Sequence, residues 1–283
     1  MELTNLSVIR ELMSRYGTVF KKSLGQNFLT SANVPVRIAD AAAESGCDSV
    51  VEIGPGIGTL TQRLCERFER VVAVEVDSSL LPILEETLGD YDNIEVINED
   101  FMKLDLADVV ESRFPDDRFA LCANLPYYIT TPILMRVLEN SPKPASIVVM
   151  VQREVADRLV SKPGSAEYGA VTASVAWYGK AEKLFAVPSG CFTPRPKVDS
   201  AVIRIIPHSE PPAAVSDEDM RRVIRGAFAQ RRKTLVNSLL SEYPMSRDDI
   251  TSAVLAAGLP ADIRGERLGV QDFAALATEL AKI

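Results

Sequence analysis

The chain has 283 residues, of which 47% are hydrophobic and 25% are charged, and its formal net charge is −8. This composition suits a globular protein with a substantial core, and no apolar stretch approaches the ~20 residues that a membrane-spanning helix requires. The four cysteines form no CxxC pair and there is a single histidine, so we expect neither a metal site nor a disulfide framework. A cytoplasmic location fits this cysteine usage, and the acidic total, taken alone, argues against a nucleic-acid partner.

Strand-like and helix-like segments alternate through the first two thirds of the chain. The amino terminus has the apolar spacing of an amphipathic helix, with Leu3, Leu6, Ile9 and Met13 on one face. Short runs rich in apolar and β-branched residues then follow, each succeeded by turn residues and a segment of helical period. The predicted strands are Ser49–Ile53, Val71–Val76, Ile94–Asn98, Phe119–Ala123 and Ile147–Val151. This alternation predicts an α/β fold with a parallel, doubly wound, Rossmann-like sheet.

The last part of the chain has a different character. Two β-rich segments, Lys183–Val187 and Val198–Ile206, have no helix between them and predict a hairpin-like edge of the sheet. A proline-rich linker, Pro207–Ser216, follows, and only helical patterns occur beyond it. We therefore predict a first domain over residues 1–206 and a small all-helical domain over residues 207–283.

A glycine-rich loop follows the first of these strands. The segment Glu52–Gly58 has the pattern E-x-G-x-G-x-G, which is usual in adenosylmethionine enzymes, whereas dinucleotide sites need GxGxxG. The alternative is a glycine turn needed only for close packing of a helix on a strand. Glu75, which ends the second strand, can accept both ribose hydroxyls of an adenosine or be an ordinary surface acid. Asp100, just past the third strand, can accept from the adenine amino group or merely cap the next helix.

The residues Asn124-Leu125-Pro126-Tyr127 directly follow the fourth predicted strand and indicate a specific reaction. An exocyclic adenine amine is a weak nucleophile because its lone pair is delocalised into the ring. The Asn124 side-chain oxygen and the Leu125 backbone carbonyl can accept its two hydrogens, which bends the nitrogen towards tetrahedral geometry and frees the lone pair. The Tyr127 ring can stack on an extruded base. The plainer alternative is a proline turn with a packed tyrosine.

Through these motifs and others, the chain resembles the small-subunit ribosomal RNA adenine N6,N6-dimethyltransferases over nearly its whole length. The matching segments are Gly25–Leu29, Val51–Thr61, Asn124–Tyr127, Phe192–Ser200 and Gln230–Leu235. The resemblance implies a class I methyltransferase domain that uses S-adenosylmethionine and no metal. It also implies dimethylation of two adjacent adenosines near the 3′ end of small-subunit (16S) rRNA, on a pre-ribosomal 30S particle rather than on bare RNA.

The resemblance further implies roles for individual residues, and we expect the protein to be a monomer. Tyr127 and Phe192 are expected to sandwich the target adenine, beside the catalytic Asn124 and Leu125. Position 128 is tyrosine where many relatives carry asparagine, which we interpret as tolerated variation. The residues expected to line the adenosylmethionine site are Asn27, Leu29, Gly54, Glu75, Asp100 and Asn124.

A run of cations without any acid lies in the predicted helical domain. Alone, such a cluster is more often a solvated helix face than a binding surface. Beside an RNA-modifying site, however, it indicates contacts with phosphates, so we expect this domain to bind rRNA. The six cations are Arg221, Arg222, Arg225, Arg231, Arg232 and Lys233.

Three other functions remain to be weighed. A nicotinamide oxidoreductase would share the fold, but the glycine spacing and the lack of a suitable histidine disfavour it. The large-subunit rRNA adenine N6-methyltransferases of the macrolide-resistance type share the adenine chemistry but lack the Gln-Arg-Arg-Lys run at 230–233. A ribosome-assembly or transcription factor without essential catalysis is the third alternative, and the intact Asn-Leu-Pro-Tyr segment argues against it.

Overall fold

The protein is described by a computed structural model that covers residues 1–19, 21, 25–114 and 118–283. The helices α1 to α12 are, in chain order, Leu6–Arg15, Asn33–Ala43, Thr61–Cys65, Leu81–Leu88, Leu106–Arg113, Thr130–Glu139, Arg153–Leu159, Ala170–Tyr178, Asp217–Phe228, Leu235–Leu239, Arg247–Ala256 and Val270–Leu280. The strands β1 to β9 are Phe28–Leu29, Ser49–Ile53, Arg70–Glu75, Ile94–Asn98, Phe119–Asn124, Ser146–Gln152, Gly179–Val187, Phe192–Thr193 and Ser200–Pro207.

Seven strands form one mixed sheet, and β1 pairs with β8 in a separate two-stranded ribbon. The order in the large sheet is β4-β3-β2-β5-β6-β9-β7. The pairs among β2 to β6 are parallel, whereas β9 runs antiparallel to β6. The five strands predicted for the parallel part are confirmed to within one residue at each end. The predicted sheet edge is also present, since β9 and β7 are neighbours, although β7 begins earlier than expected, at Gly179.

The direction of winding reverses between β2 and β5. From β2 the chain moves outward through β3 to β4, and it then returns to the other side of β2 to form β5 and β6. In open α/β sheets, ligands bind beyond the carboxyl ends of the strands at such a reversal point. The glycine loop after β2 and the Asn124 segment after β5 therefore lie at the position where this fold takes its ligand.

The parallel strands β2, β3, β5 and β6 are buried on both faces along nearly their whole length, as sheets covered by helices require, whereas the edge strand β4 is partly exposed. Every residue of β2 is buried, and helices α2 and α3 pack on one face of the sheet through Ile38 and Leu64. The predicted amphipathic helix is α1, which packs against Ile57 and Ile83. Its buried face differs from the prediction in one position, because Leu12 is buried and Leu6 is exposed.

The described chain divides into two compact units. The first comprises Met1–Ala156 and Glu182–Pro207, and the second comprises Asp157–Ala181 and His208–Ile283. This differs from the predicted division after residue 206, because the segment Asp157–Ala181, with helix α8, groups with the carboxy-terminal helices. No helix among the described residues is long and apolar enough to cross a bilayer.

Aromatic residues explain why that segment belongs to the second unit. The Tyr168 and Phe228 rings lie with their centroids 5.9 Å apart, and the Tyr168 hydroxyl donates to the Leu268 carbonyl at 2.7 Å. The Trp177 indole N–H donates to the Asp217 carboxylate at 2.8 Å. Because these side chains bury large apolar areas and satisfy their polar groups within the helical unit, the segment is part of its core.

Candidate active site

One cavity of the first unit lies at the carboxyl ends of β2, β3 and β5. It brings together residues that are far apart in the chain, from the segment before α2, the glycine loop and the loop after β5. Most of the predicted site residues line it, namely Asn27, Leu29, Gly54, Glu75, Asn124, Leu125 and Tyr127. These seven of the nine predicted cofactor-binding and catalytic residues thus line one cavity.

Gly54 and Gly58 of the glycine loop serve two different purposes. Both have positive φ, +70° and +90° respectively, which glycine adopts without strain. A Cβ atom at Gly54 would meet nothing within 4 Å, so a ligand can approach the backbone there. A Cβ atom at Gly58 would lie 3.0 Å from Thr87 Oγ1 and 3.1 Å from Leu88 Cδ2, so this glycine allows close packing on α4. The interpretation of the loop as a ligand site therefore applies to Gly54, and the interpretation as a close-packing turn applies to Gly58.

Glu75, the last residue of β3, is buried and holds the glycine loop. Its Oε2 accepts a hydrogen bond from the Gly56 N–H at 3.2 Å, and its Oε1 accepts one from the Asp77 N–H at 2.8 Å. Burial raises the pKa of the Glu75 carboxyl, and the two backbone hydrogen bonds oppose that shift. A carboxylate has about four lone-pair sites, so each oxygen keeps one acceptor position for a ribose hydroxyl.

Glu52 of β2 is a buried acid on the same cavity wall, and it is only 1% exposed. Within the described part of the chain, neither its Oε2 nor the buried hydroxyls of Thr59 and Thr61 have a hydrogen-bond partner. Burial above all raises the pKa of Glu52 to about 8, and the charge of Glu75 adds to this shift. The nearby Thr61 hydroxyl opposes the shift, but its contact with Glu52 does not reach hydrogen-bond geometry. Because a buried polar atom without a partner costs about 1–3 kcal/mol, an orphaned acceptor on a cavity wall indicates a ligand that donates to it.

Asn124 ends β5 with its amide in a defined orientation. Its Nδ2 donates to the Asn27 carbonyl oxygen at 3.2 Å, which leaves Oδ1 as the acceptor. The next peptide is held as well, because the Leu125 N–H donates to the Met150 carbonyl at 3.1 Å. Two residues that can each offer an oxygen to an amine therefore lie side by side on the cavity wall.

The Tyr127 ring is anchored at its far end. Its hydroxyl lies 2.8 Å from Ser200 Oγ, at the start of β9, and Ser200 is fully buried. This hydrogen bond restricts rotation of the ring and fixes the plane on which a base can stack. Ser200 was not singled out from the sequence, although it ends the segment Phe192–Ser200 that carries part of the family resemblance.

Two predicted site residues do not line the cavity in the described structure. Asp100 follows β4, and its Oδ1 accepts from the Met102 N–H at 2.9 Å within a turn. The helix-capping alternative is wrong, because Asp105 caps the next helix, α5. Phe192 of β8 is 4% exposed and pairs in register with Leu29 of β1, within the apolar core beside α2. The contact of Asp100 with adenine and the base sandwich with Phe192 therefore stay predictions.

Two further residues at the site were missed by the sequence analysis. Gln26 lines the cavity, and its Nε2 donates to Asp77 Oδ2 at 2.8 Å. Asp77 is buried two residues beyond Glu75, and it also receives a hydrogen bond from Lys21 Nζ at 2.6 Å. The proximity of Gln26 to Asn27 and of Asp77 to Glu75 in the chain was the only available signal.

The charge of the cavity suits a cationic nucleoside better than a dinucleotide. Its described lining contains the carboxyl groups of Glu52 and Glu75 and no lysine, arginine or histidine. Adenosylmethionine carries a sulfonium and an ammonium, which Glu75 and, once it is ionised, Glu52 attract, whereas carboxylates repel a pyrophosphate. In the part of the chain that the structure covers, no cluster of three or more His, Cys, Asp or Glu residues could hold a metal ion.

Known structures share this architecture. The 23S rRNA methyltransferase ErmE aligns with a TM-score of 0.67 at 28% identity, covering 90% of this chain and 99% of that one. A dimethyladenosine transferase from Plasmodium falciparum aligns with a TM-score of 0.76 at 24% identity, covering 90% and 97% respectively. The predicted Rossmann-like class I methyltransferase fold is confirmed by these neighbours.

Sequence comparison gives the family. The chain is 48% identical over 277 residues to "Ribosomal RNA small subunit methyltransferase A" of Geobacillus thermodenitrificans, covering 96% of this chain and 94% of that one. It is 43% identical over 275 residues to the protein of the same name from Alkaliphilus oremlandii, with 96% of each chain covered. Residues 17–281 match the family described as "Ribosomal RNA adenine dimethylase". The predicted resemblance is thus confirmed, and the chain belongs to the ribosomal RNA adenine dimethylase family of methyltransferases.

Proposed function

We propose that this protein transfers methyl groups from S-adenosylmethionine to N6 of two adjacent adenosines near the 3′ end of small-subunit (16S) rRNA, dimethylating each. The observation that carries the proposal is a single cavity lined by Glu75, the orphaned Glu52 and the oriented amide of Asn124. The names of the relatives at 43% and 48% identity support the small subunit as the substrate's source. ErmE is named for 23S rRNA, so a large-subunit adenine is the second candidate.

The cofactor would lie along the carboxyl ends of β2 and β3. Its sulfonium supplies a methyl group that a nucleophile can attack directly. Glu75 accepts the ribose hydroxyls on its free lone pairs, and Gly54 allows the nucleoside to approach the backbone. Glu52 accepts from the ammonium, which gives its orphaned oxygen a donor. Asn27 and Leu29 line the same cavity. Asp100 would contact the adenine amine of the cofactor.

The target adenine would be held by the segment after β5. Asn124 Oδ1 and the Leu125 carbonyl accept the two amine hydrogens, and the nitrogen lone pair then points towards the methyl group. The Tyr127 ring, held by Ser200, stacks on the base. Phe192 is buried beside Leu29, so the proposed sandwich requires that base binding uncover its ring. No strong base is needed, because the proton can leave after the transfer.

Primer extension across the 3′ end of small-subunit rRNA tests this function. Dimethyladenosine blocks reverse transcription, so incubation of unmethylated small subunits with the protein and adenosylmethionine should create a strong stop at the pair of adenosines. The same reaction on large subunits should create none. Stops on 23S rRNA alone would favour the second candidate, and no stop on either RNA would contradict the proposed activity.

The cation run of the second unit is only partly free to meet RNA. The Arg222 guanidinium lies 4.2 Å from the centre of the Tyr243 ring, and Arg225 pairs with the Glu242 carboxylate. Arg231 donates to the Ala166 carbonyl at 2.5 Å. These three cations are therefore used within the second unit, which the sequence could not reveal.

Arg232 and Lys233 are the members of the run best suited to bind phosphates. Both are exposed, and neither side chain forms an ion pair or hydrogen bond with another described residue, although the Lys233 backbone N–H donates to the Gln230 carbonyl. We expect the double substitution Arg232→Ala and Lys233→Ala to weaken binding to small subunits and to lower the salt slope by roughly 2. Filter binding over a range of salt concentrations measures both quantities.

A matched control removes one arginine and one lysine outside the cation run. Arg113 and Lys282 are exposed and pair with Glu95 and Glu279, at 2.9 Å and 2.6 Å. The double substitution Arg113→Ala and Lys282→Ala should leave the salt slope unchanged. If both double variants behave like the wild type, the run is a solvated helix face and the proposed rRNA-binding role of the second unit is wrong.

The net charge of −8 bears on the form of the substrate. An acidic protein with a small cationic footprint gains little from bare RNA at physiological salt, because most of its field repels phosphates. The proposal therefore includes a pre-ribosomal 30S particle as the partner, a monomeric enzyme and a cytoplasmic location. A checkpoint role in ribosome assembly is compatible with it, since such a role would use the same docking surface.

A further inference from the structure

We propose that Gln26 and Asp77 are positioning residues for methyl transfer, because they fix the segment whose Asn27 carbonyl orients the Asn124 amide. This inference rests on the proposed function of Asn124. Neither residue needs to touch the reacting atoms. Their role follows from a chain of hydrogen bonds that begins at a buried carboxylate and ends at the amide beside the target amine.

Asp77 is the fixed end of this chain. Its side chain is 1% exposed, and its Oδ1 accepts from Ser79 N–H at 3.1 Å and from Ser79 Oγ at 2.6 Å. The same oxygen accepts from Lys21 Nζ at 2.6 Å, while Oδ2 accepts from Gln26 Nε2 at 2.8 Å. The carboxylate is therefore held by its own turn and has one oxygen available for Gln26.

Gln26 is bonded at both ends of its amide. Its Nε2 donates to Asp77, and its Oε1 accepts from the Lys21 N–H at 2.9 Å. Asn27, the next residue, closes a local turn, because its Nδ2 donates to the Gly25 carbonyl at 2.8 Å. Gly25 in turn packs on the segment after β5, since a Cβ there would lie 3.3 Å from Pro126 Cβ. These contacts leave the Asn27 peptide little freedom to move.

The Asn27 carbonyl decides which way the Asn124 amide faces. The oxygen and nitrogen of an asparagine side chain are almost equal in size, so a rotation by half a turn costs little by itself. In the rotated form the NH2 group would face the adenine amine, and two donors cannot bond to each other. A carbonyl oxygen 3.2 Å from Nδ2 accepts only in the productive orientation and repels Oδ1 in the other. Displacing Asn27 would therefore allow the Asn124 amide to adopt the rotated orientation, in which it cannot accept a hydrogen bond from the target amine.

The test replaces the hydrogen-bond donor of Gln26 with an acceptor of nearly the same size. Gln26→Glu places a carboxylate against the Asp77 carboxylate, which should break the contact and displace Asn27. Adding Asp77→Asn in the same chain restores a donor–acceptor pair, while the new amide oxygen can still accept from Ser79 and Lys21. We expect Gln26→Glu to lower the single-turnover rate by about tenfold or more, and the double variant to recover most of that loss.

A second readout does not depend on activity. Hydrogen exchange of the backbone amides at residues 25–29 should speed up in Gln26→Glu and return towards the wild-type rate in the double variant, both without cofactor or RNA. The matched control is Gln271→Glu, an exposed residue whose side chain bonds to the Pro212 carbonyl at 3.4 Å. This variant should match the wild type in both measurements.

The outcomes separate this inference from the proposed function. Faster exchange with an unchanged transfer rate would overturn the positioning role, as would failure of Asp77→Asn to rescue the rate of Gln26→Glu. Unchanged exchange in Gln26→Glu would show that the contact does not fix the segment. If the wild type methylates no ribosomal RNA at all, the proposed function fails, while the exchange measurement still reports whether Asp77 holds the segment.

Discussion

Replacing Asn124 with alanine should lower the single-turnover rate of methyl transfer by about 10²–10³-fold, the usual cost of removing one transition-state hydrogen-bond partner. The interaction strengthens as the amine becomes tetrahedral, so the loss should appear in kcat more than in the apparent affinity for RNA. Quenched-flow measurement on purified unmethylated small subunits, with enzyme in excess, isolates this step. Methylation by Asn124→Ala at nearly the wild-type rate would show the mechanism to be wrong.

The variant Asn124→Asp distinguishes an oriented amide from a simple oxygen acceptor. The Asn124 Nδ2 donates to the Asn27 carbonyl oxygen at 3.2 Å. Aspartate would place an oxygen against that carbonyl, and the repulsion would turn the carboxylate away from the target amine. We therefore expect Asn124→Asp to be as impaired as Asn124→Ala, although aspartate keeps the acceptor oxygen and adds a second one. Tyr127→Phe is a useful comparison, because it keeps the ring and loses only the contact with Ser200.

Replacing Glu52 with glutamine should change how the stability of the free protein depends on pH. The pKa of Glu52 is about 8 in the folded state, against an ordinary value of 4.5. A carboxyl whose pKa is raised by folding stabilises the fold fully below the unfolded value, and this contribution is lost as pH rises through the folded value. The wild type should therefore lose stability on the order of 3 kcal/mol between about pH 5 and pH 8.5 through this group alone.

Thermal unfolding at several pH values measures this effect. Glutamine stays neutral, so Glu52→Gln should unfold several degrees higher than the wild type at about pH 8.5 and at a similar temperature at about pH 5. The control is Glu69→Gln, an exposed residue, which should follow the wild type at both. Adenosylhomocysteine should stabilise the wild type more than Glu52→Gln, since its ammonium provides the donor. Parallel pH curves for Glu52→Gln and the wild type would contradict this account.

The parallel sheet could be predicted from the sequence because each of its buried strands has a recognisable pattern of apolar residues. A strand covered by helices on both faces is a short continuous apolar run, and Ser49–Ile53 and Phe119–Asn124 are buried along almost their whole length. Helix α8 was harder to assign. It is apolar on all sides, so its pattern gives no single buried face, and nothing local indicates that Trp177 packs with the helices beyond residue 207.

Some residues of the candidate site could likewise be predicted from the sequence, and others could not. Gly54, Glu75 and Asn124 follow strands directly, so the place of each strand in the sheet determines their positions, and the sequence analysis could find them. The contact between Gln26 and Asp77 joins residues 51 positions apart, and no periodicity encodes it. The use of Arg222, Arg225 and Arg231 within the helical unit was hidden for the same reason, because their partners lie on other elements.

The second unit is assembled from two stretches of chain that are separated by residues 182–207 of the first. A fragment ending at residue 206 would therefore keep helix α8 and lose α9 and α12, which pack against it. Trp177 and Tyr178, only 2% and 3% exposed in the whole chain, would then face water and favour aggregation. During synthesis the growing chain passes through a similar state, because α8 is made before α9 and α12. Helix α8 cannot complete its packing until both α9 and α12 have been synthesised, so the second unit is completed only at the end of chain synthesis.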